Sequence, residues 1–436
     1  MKNNFAEINT GYTTKEAIDE AKRCLNCKNP LCVQGCPIEH DIPGFVHQLS
    51  MGNVGAAMQI INEKSNLPAI CGRVCPHEKQ CEGHCILNKK NNPVKVGRLE
   101  RFIADFDSDM NLIKERIKPK TRGKVAIVGS GPAGLTVAGD LAREGFHVTV
   151  FEGQKEPGGV LMYGIPEYRL PKEIVRREIK KIETLGVNFI NDFIIGEKAT
   201  VDDLLNKEYD AVFIGSGTSV PKTLDIPGIN LYRVLQSSYF LRMANLYNNG
   251  DISRAAVPLL EGENIAIIGA GNVAMDAART ALRMGARSVN IIYRGTEENI
   301  PPALKTEYTE AVEEGTNFLW QSRTIECIGG EGNTLKAIRV ETPEGGEKVI
   351  PMDRVLISIG SKPANRIVST SLGIDVDNNG YVITKDHPYG MTTRKGVFAG
   401  GDVVHTPQTV VLAMREAKQV AKGIAQYVDA VKLLSQ

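Results

Sequence analysis

Lys124-Val125-Ala126-Ile127-Val128-Gly129-Ser130-Gly131-Pro132-Ala133-Gly134 is a short apolar run that ends in glycines spaced G-x-G-x-x-G. A run of this length before a glycine turn reads as a buried strand. Beyond it, Leu135 to Glu144 reads as a helix that stops at Gly145, and Phe146 to Phe151 reads as a second strand that delivers Glu152. Strand, turn, helix and strand make a βαβ unit. In such a unit Gly129 permits the tight turn, Gly131 lets the backbone approach a pyrophosphate and Gly134 lets the helix pack closely on the strand. Pro132 and Ala133 open the helix, whose first amides face the phosphates, and Glu152 accepts hydrogen bonds from ribose hydroxyls.

The same design recurs downstream. Asn264 to Ile268 is a strand, Gly269-Ala270-Gly271-Asn272-Val273-Ala274 the turn, a helix runs to Met284, and Val289 to Tyr293 is the next strand. Two departures from the first unit are informative. Ala274 holds the third glycine position, and Arg294 stands where the first unit has a carboxylate. A guanidinium suits a 2′-phosphate through paired hydrogen bonds, so NADPH is favoured here, with NADH possible. Gly269, Gly271, Asn272, Val273, Ala274 and Arg294 are the expected nucleotide contacts.

A third stretch separates the roles of the two units. Gly396-Val397-Phe398-Ala399-Gly400-Gly401-Asp402 is a strand ending in a glycine turn that presents one carboxylate. An Asp there can hold ribityl hydroxyls. Thr406-Pro407-Gln408-Thr409 then opens a helix expected to run to about Val428, whose N-terminus favours negative charge on a reduced flavin. The first unit is therefore assigned to FAD, with Gly401, Asp402, Gln408 and Thr409 as its distant contacts. The pairing resembles flavoproteins with two dinucleotide-binding domains, in which an FAD fold is split by an inserted NAD(P) domain. Residues 209–217 and 355–360 look like the crossings between those domains.

Upstream lie eight of the nine cysteines, as Cys24-x2-Cys27-x4-Cys32-x3-Cys36 and Cys71-x3-Cys75-x5-Cys81-x3-Cys85. In a reducing compartment clustered cysteines are more often ligands than disulfides. Proline and glycine beside them, as in Cys36-Pro37 and Cys71-Gly72-Arg73-Val74-Cys75-Pro76, support the bends that bring several thiolates together on iron–sulfur clusters. Zinc is the competing metal. Its usual pairs of C-x2-C are matched here only by Cys24 and Cys27. Short helical patterns, including Thr14 to Arg23 and Ile42 to Asn62, fill the rest of this region.

The chain of 436 residues carries a formal net charge of +1 and 42% hydrophobic residues. Neither nucleic acid nor a membrane surface is implied as partner, no apolar stretch approaches a spanning helix, and a cytoplasmic location is expected. The fold class is α/β: two Rossmann-like domains preceded by an α-helical iron–sulfur domain. Expected boundaries are 1–120 for the iron–sulfur domain, 121–250 and 355–436 for the FAD domain, and 251–354 for the NAD(P) domain.

Cys24-Leu25-Asn26-Cys27, Cys36-Pro37, residues 70–76, Cys81-Glu82-Gly83-His84-Cys85 and Gly97-Arg98-Leu99-Glu100-Arg101 resemble the small (β) subunit of bacterial glutamate synthase. Gly158-Gly159 and residues 163–171 look like the flavin-side loop of the same family, which adds Gly159 and Arg169 to the expected FAD contacts. The architecture is also similar to the N-terminal half of dihydropyrimidine dehydrogenase and to the large subunit of NADH-dependent ferredoxin:NADP oxidoreductase.

By that likeness two [4Fe-4S] clusters interleave. Cys24, Cys27, Cys32 and Cys85 hold one, and Cys36, Cys75 and Cys81 with Glu100 hold the other. Cys71 is the alternative to Glu100, since eight cysteines for two all-cysteine clusters is the simpler arithmetic. Related NADP-dependent flavoproteins often carry two consecutive arginines; here Gly295 follows Arg294.

The resemblance implies a hydride from NAD(P)H to FAD and single electrons through the clusters to a second protein. Glu167, Arg169 and Asp276 are positioning candidates, and no proton-transfer catalyst is expected. Disulfide reduction is disfavoured because Cys327 stands alone, as a buried apolar residue.

Glutamate synthesis also needs a glutaminase nucleophile and an FMN barrel, for which the chain has no room. The expected assembly is a hetero-oligomer with a large catalytic chain or a ferredoxin-like acceptor. Electron input to pyrimidine reduction or to ferredoxin is the alternative activity, and a non-catalytic iron–sulfur assembly module the alternative class.

Overall fold

The computed structural model describes residues 4–115, 117–299 and 305–435, and the chain divides into two compact units. The larger is formed by residues 9–162, 172–220 and 362–435; the smaller by residues 4–8, 163–171 and 221–361.

The larger unit opens with helices Thr14–Ala21, Leu31–Gln34, Ile42–Ser50, Val54–Asn62, Pro68–Val74 and Val96–Met110. Thr13 starts the first by a capping box: its hydroxyl accepts from the Glu16 amide while the Glu16 carboxylate accepts from the Thr13 amide at 2.8 Å. The helical pattern expected across 42–62 is two helices, because Gly52 turns the chain at φ +80° between them. Phe45, Leu49, Met58, Ile61, Leu99 and Ile103 form the centre of their shared core.

Next comes a seven-stranded sheet in the order Thr384–Asp386, Tyr389–Thr392, Val397–Ala399, Ala211–Ile214, Gly123–Val128, Phe146–Phe151, Asn188–Ile190. The last five strands are parallel. Val397–Ala399 joins Ala211–Ile214 within one sheet although well over a hundred residues separate them in the chain, as a split FAD fold requires. The helix Pro132–Arg143 follows the first strand, and the final helix spans Val410–Leu434, about six residues beyond its expected end.

In the smaller unit a five-stranded parallel sheet runs Val234–Gln236, Arg354–Ile357, Asn264–Ile268, Ser288–Ile292, Asn317–Leu319. An antiparallel sheet of Arg323–Gly329, Leu335–Glu341 and Glu347–Pro351 adjoins it in sequence, and Cys327 is buried in the core formed with Ile338 and Val340. Residues 163–171 fold here too. The Ile8 amide donates to the Tyr168 carbonyl at 3.1 Å, and the rings of Phe5 and Tyr168 stand 6.5 Å apart.

Candidate functional site: two dinucleotide cradles and a cavity of thiols

At the first glycine turn the need for glycine is steric. Gly129 has φ +94°, and a Cβ on it lies 2.7 Å from the Gly215 carbonyl oxygen; a Cβ on Gly134 lies 2.0 Å from the Gly129 oxygen. Gly131 differs, since a Cβ there meets nothing within 4 Å. Nothing in the protein demands glycine at that position, so the space in front of it is room for a ligand. Gly131 also caps helix Pro132–Arg143 without a side-chain hydrogen bond, which leaves first-turn amides available to an anion.

Glu152 is buried beside this turn. Its carboxylate accepts from the Ser130 amide at 3.0 Å, from the Ser130 hydroxyl, and from the Gln154 amide at 2.8 Å. The Gly158 amide donates to the Ser130 hydroxyl at 2.8 Å, and a Cβ on Gly159 comes within 3.0 Å of the Gly131 Cα, so the 158–159 loop lies directly on the turn.

The distant elements reach the same place. A Cβ on Gly401 lies 2.9 Å from the Cβ of Ala133, which sets Asp402 at the mouth of the cradle. Burial raises the Asp402 carboxyl above its usual range, while a hydrogen bond from the Gln408 amide opposes that shift. Thr409 caps helix Val410–Leu434 with no side-chain bond, and its buried Oγ1 has no hydrogen-bond partner among the described residues. An orphaned buried hydroxyl at a helix N-terminus fits a site that a ligand completes.

The second cradle repeats the first. A Cβ on Gly269 lies 2.4 Å from the Ser358 oxygen, one on Gly271 meets nothing within 4 Å, and Gly271 caps helix Asn272–Arg283 without a side-chain bond. Ala274 is fully buried, Asn272 and Val273 are exposed at the helix start, and Arg294 is exposed beyond the second strand.

Arg169 and Asp276 are brought together, and both are occupied. The Arg169 Nη1 lies 2.8 Å from each Asp276 oxygen, and its Nη2 lies 2.6 Å from Glu307. Tyr168 lies beneath Arg283, whose Cζ is 4.0 Å from the ring centroid, and its hydroxyl donates to the Asp276 carbonyl at 3.3 Å. This pair therefore braces the 163–171 segment on helix Asn272–Arg283 within one unit. Glu167 is half-buried next to it. The sequence offers no signal for this clamp, because Glu307 and Arg283 lie far from residue 169 along the chain.

Four thiols line a single cavity: Cys24, Cys27, Cys32 and Cys85. Its other walls include Ile42, Val46, Leu87 and Val94. Each thiol sits at an element end or turn. Cys24 follows helix Thr14–Ala21, Cys27 follows Asn26 at φ +47°, Cys32 lies in Leu31–Gln34, and Cys85 caps Ile86–Lys90. Burial among neighbouring thiols pushes Cys32 up to about 11. Among the described residues no three His, Cys, Asp or Glu side chains converge as a single metal ion needs. Thiols spread around a cavity suit a polynuclear cluster instead.

Cys36, Cys75 and Cys81 form a second group around Glu100. Burial raises Cys36 and Cys81, a hydrogen bond with Cys71 and then burial raise Cys75, and Glu100 adds to each shift. Glu100 is itself buried. Its Oε1 has no hydrogen-bond partner among the described residues and lies 3.6 Å from His40 Nδ1, and burial, then Glu178, pushes its carboxyl up to about 8. Cys71 lies beside this group: it is hydrogen-bonded to Cys75 and adds to the shifts of Cys75 and Cys36, and its Sγ is also 3.5 Å from the Met414 Sδ.

The helices that carry these groups approach closely at Gly72, where a Cβ lies 2.6 Å from the Arg101 amide nitrogen. Arg73 reinforces the contact with two bonds to Asp105, at 3.1 and 2.7 Å. His40, Glu178 and Asp105 lie outside the cysteine motifs, and although Arg73 lies within Cys71-x3-Cys75, nothing in that spacing points to its bond with Asp105.

Comparison with known families agrees with this geometry. Residues 1–112 match the family described as dihydropyrimidine dehydrogenase domain II, 4Fe-4S cluster, and residues 123–417 match pyridine nucleotide-disulphide oxidoreductase. The second name does not carry its dithiol chemistry here, since Cys327 is the one cysteine in that stretch. The fold is shared with FprA of Mycobacterium tuberculosis, solved with NADPH, at a TM-score of 0.59 and 18% identity over 73% of this chain and 86% of that one. Fold and cradles together define an NAD(P)H-dependent oxidoreductase that uses FAD and [4Fe-4S] iron–sulfur.

Among curated proteins, the glutamate synthase [NADPH] small chain of Halomonas elongata is 37% identical, over 98% of this chain and 93% of that protein. The NAD-dependent dihydropyrimidine dehydrogenase subunit PreT of Escherichia coli is 33% identical over 98% of each. The chain belongs to the glutamate synthase small-chain family. No helix among the described residues is long and apolar enough to cross a membrane.

Proposed function

We propose that the chain oxidises NADPH and passes the electrons to a separate catalytic chain, of the glutamate synthase large-chain type, that makes glutamate from glutamine and 2-oxoglutarate. Bound FAD supplies the change from two-electron hydride chemistry to the single electrons that iron–sulfur accepts.

The chain's own residues do the holding. Gly129, Gly131, Gly134, Glu152, Gly159, Asp402 and the Thr409 helix start hold FAD; Gly269, Gly271, Ala274 and Arg294 hold the nicotinamide nucleotide. Cys36, Cys75, Cys81 and Glu100 hold an inner cluster, and Cys24, Cys27, Cys32 and Cys85 an outer one. In this division of labour residues 1–120 form the iron–sulfur domain, and 251–354 form the nucleotide insert between the FAD segments.

The observation that carries the reading is the set of four partly buried thiols around one cavity, on a chain matched over 98% of its length by a glutamate synthase small chain. The match to PreT over the whole length supports a second reading, electron input from NADH to a pyrimidine-reducing chain. The two are separated by mixing the purified chain anaerobically with each catalytic chain. The first predicts NADPH oxidation that depends on 2-oxoglutarate and yields glutamate. Oxidation that requires a pyrimidine and is indifferent to 2-oxoglutarate selects the second.

A further inference from the structure

Exposed apolar side chains line the thiol cavity. Leu25, Leu31 and Ile86, which line it, are 59%, 45% and 43% exposed. Apolar side chains exposed together mark an interaction site more often than chance placement. Lys28, Lys89 and Lys90 stand beside them in sequence, exposed and without an ion-pair partner among the described residues.

The charge is one-sided. Residues 22–36 and 83–98 contain seven Lys and Arg and not one Asp or Glu, in a chain whose net charge is +1. Arg23 and Lys95 are offset by Glu20 and Glu82, at 2.6 and 3.5 Å, which leaves Lys28, Lys89 and Lys90 among the surplus within these two stretches. On the far wall, next to Ile42, Asp41 is engaged with the Gly44 amide at 3.1 Å.

We infer that this face is the docking surface for the electron-accepting chain, and that the partner presents an apolar centre ringed by carboxylates over its own redox centre. The inference rests on the reading that electrons leave this chain for a second protein. Single-electron transfer requires the two centres to approach closely, and the cavity of Cys24, Cys27, Cys32 and Cys85 is lined by the exposed Leu25, Leu31 and Ile86, where that approach is possible. The apolar centre supplies contact and the lysines supply steering and register. A second copy of this chain is a poor occupant, since it sets lysine against lysine.

The test uses the holo-protein and a triple variant, Lys28→Glu with Lys89→Glu and Lys90→Glu. Binding to a glutamate synthase large chain is followed by its association rate at low and high salt, with iron and flavin content as controls. The wild-type rate should fall steeply with salt. The variant should bind at least tenfold more slowly at low salt and lose the salt dependence, with its iron and flavin content unchanged. Equal association of both proteins overturns the inference and leaves the functional reading standing. A wild type that does not bind the large chain overturns both. Self-association that the variant abolishes assigns the face to a second copy and overturns the proposed partner.

Discussion

Cys71 and Glu100 compete for one ligand position, and their surroundings differ in the way that matters. Cys71 already has partners, its sulfur lying against Met414 and hydrogen-bonded to Cys75, whereas Glu100 holds a buried oxygen without a hydrogen-bond partner among the described residues, beside three raised thiols. A buried carboxylate left in that state costs stability unless something completes it. We therefore expect Cys71→Ala to keep the full iron content and Glu100→Ala to lose one cluster, measured by iron analysis and low-temperature spectra.

Cys327 makes a simpler residue-scale case. It is 2% exposed and burial pushes its thiol up to about 11 from an ordinary value near 9. Between those two values the unfolded chain has lost the proton and the folded chain keeps it, so this residue's contribution to stability falls as pH rises through that window. Cys327→Ala should flatten the decline in unfolding midpoint from about pH 9 to 11; an unchanged slope contradicts the assignment. The clustering of the cysteines is legible in the sequence, while their division into two interleaved sets is what the family resemblance implies. The partnerless oxygen of Glu100 is not legible, because it follows from burial, which only the packed helices create.

Among elements, the pairing of Pro68–Val74 with Val96–Met110 brings Cys75, at the end of the first helix, towards Glu100 on the second. It depends on Gly72, whose missing Cβ lets the Arg101 backbone approach. Gly72→Ala must push the helices apart and should cost about 1–3 kcal/mol, seen as a lower urea midpoint for the helical region. Retained stability contradicts the close-approach account.

The strands and glycine turns of both βαβ units are readable in advance, since a buried parallel strand must be a continuous apolar run. Phe146–Phe151 and Asn264–Ile268 match their expected limits residue for residue. Helix ends are less readable. The break between the two helices sits at Gly52, where the chain turns at φ +80°, and the last helix runs on to Leu434 through residues that are mostly exposed.

For the whole molecule, the split FAD fold is legible because Asp402 and its glycine turn lie so far from Gly129, with a second complete βαβ unit between them. The return of residues 4–8 and 163–171 to the smaller unit is not legible. It rests on Arg169 reaching Asp276 and Glu307, and on Tyr168 under Arg283, which only the assembled unit brings together.

The central claim is that one chain joins a nicotinamide oxidation to iron–sulfur. Its most direct test is anaerobic titration of the purified holo-chain with NADPH, following the flavin absorbance band and the electron paramagnetic resonance signal of reduced clusters together. The account predicts that the flavin band bleaches and that a reduced-cluster signal then grows, with NADH less effective. A flavin band that NADPH and NADH both leave untouched, or one that bleaches while the clusters stay oxidised at any excess, contradicts it.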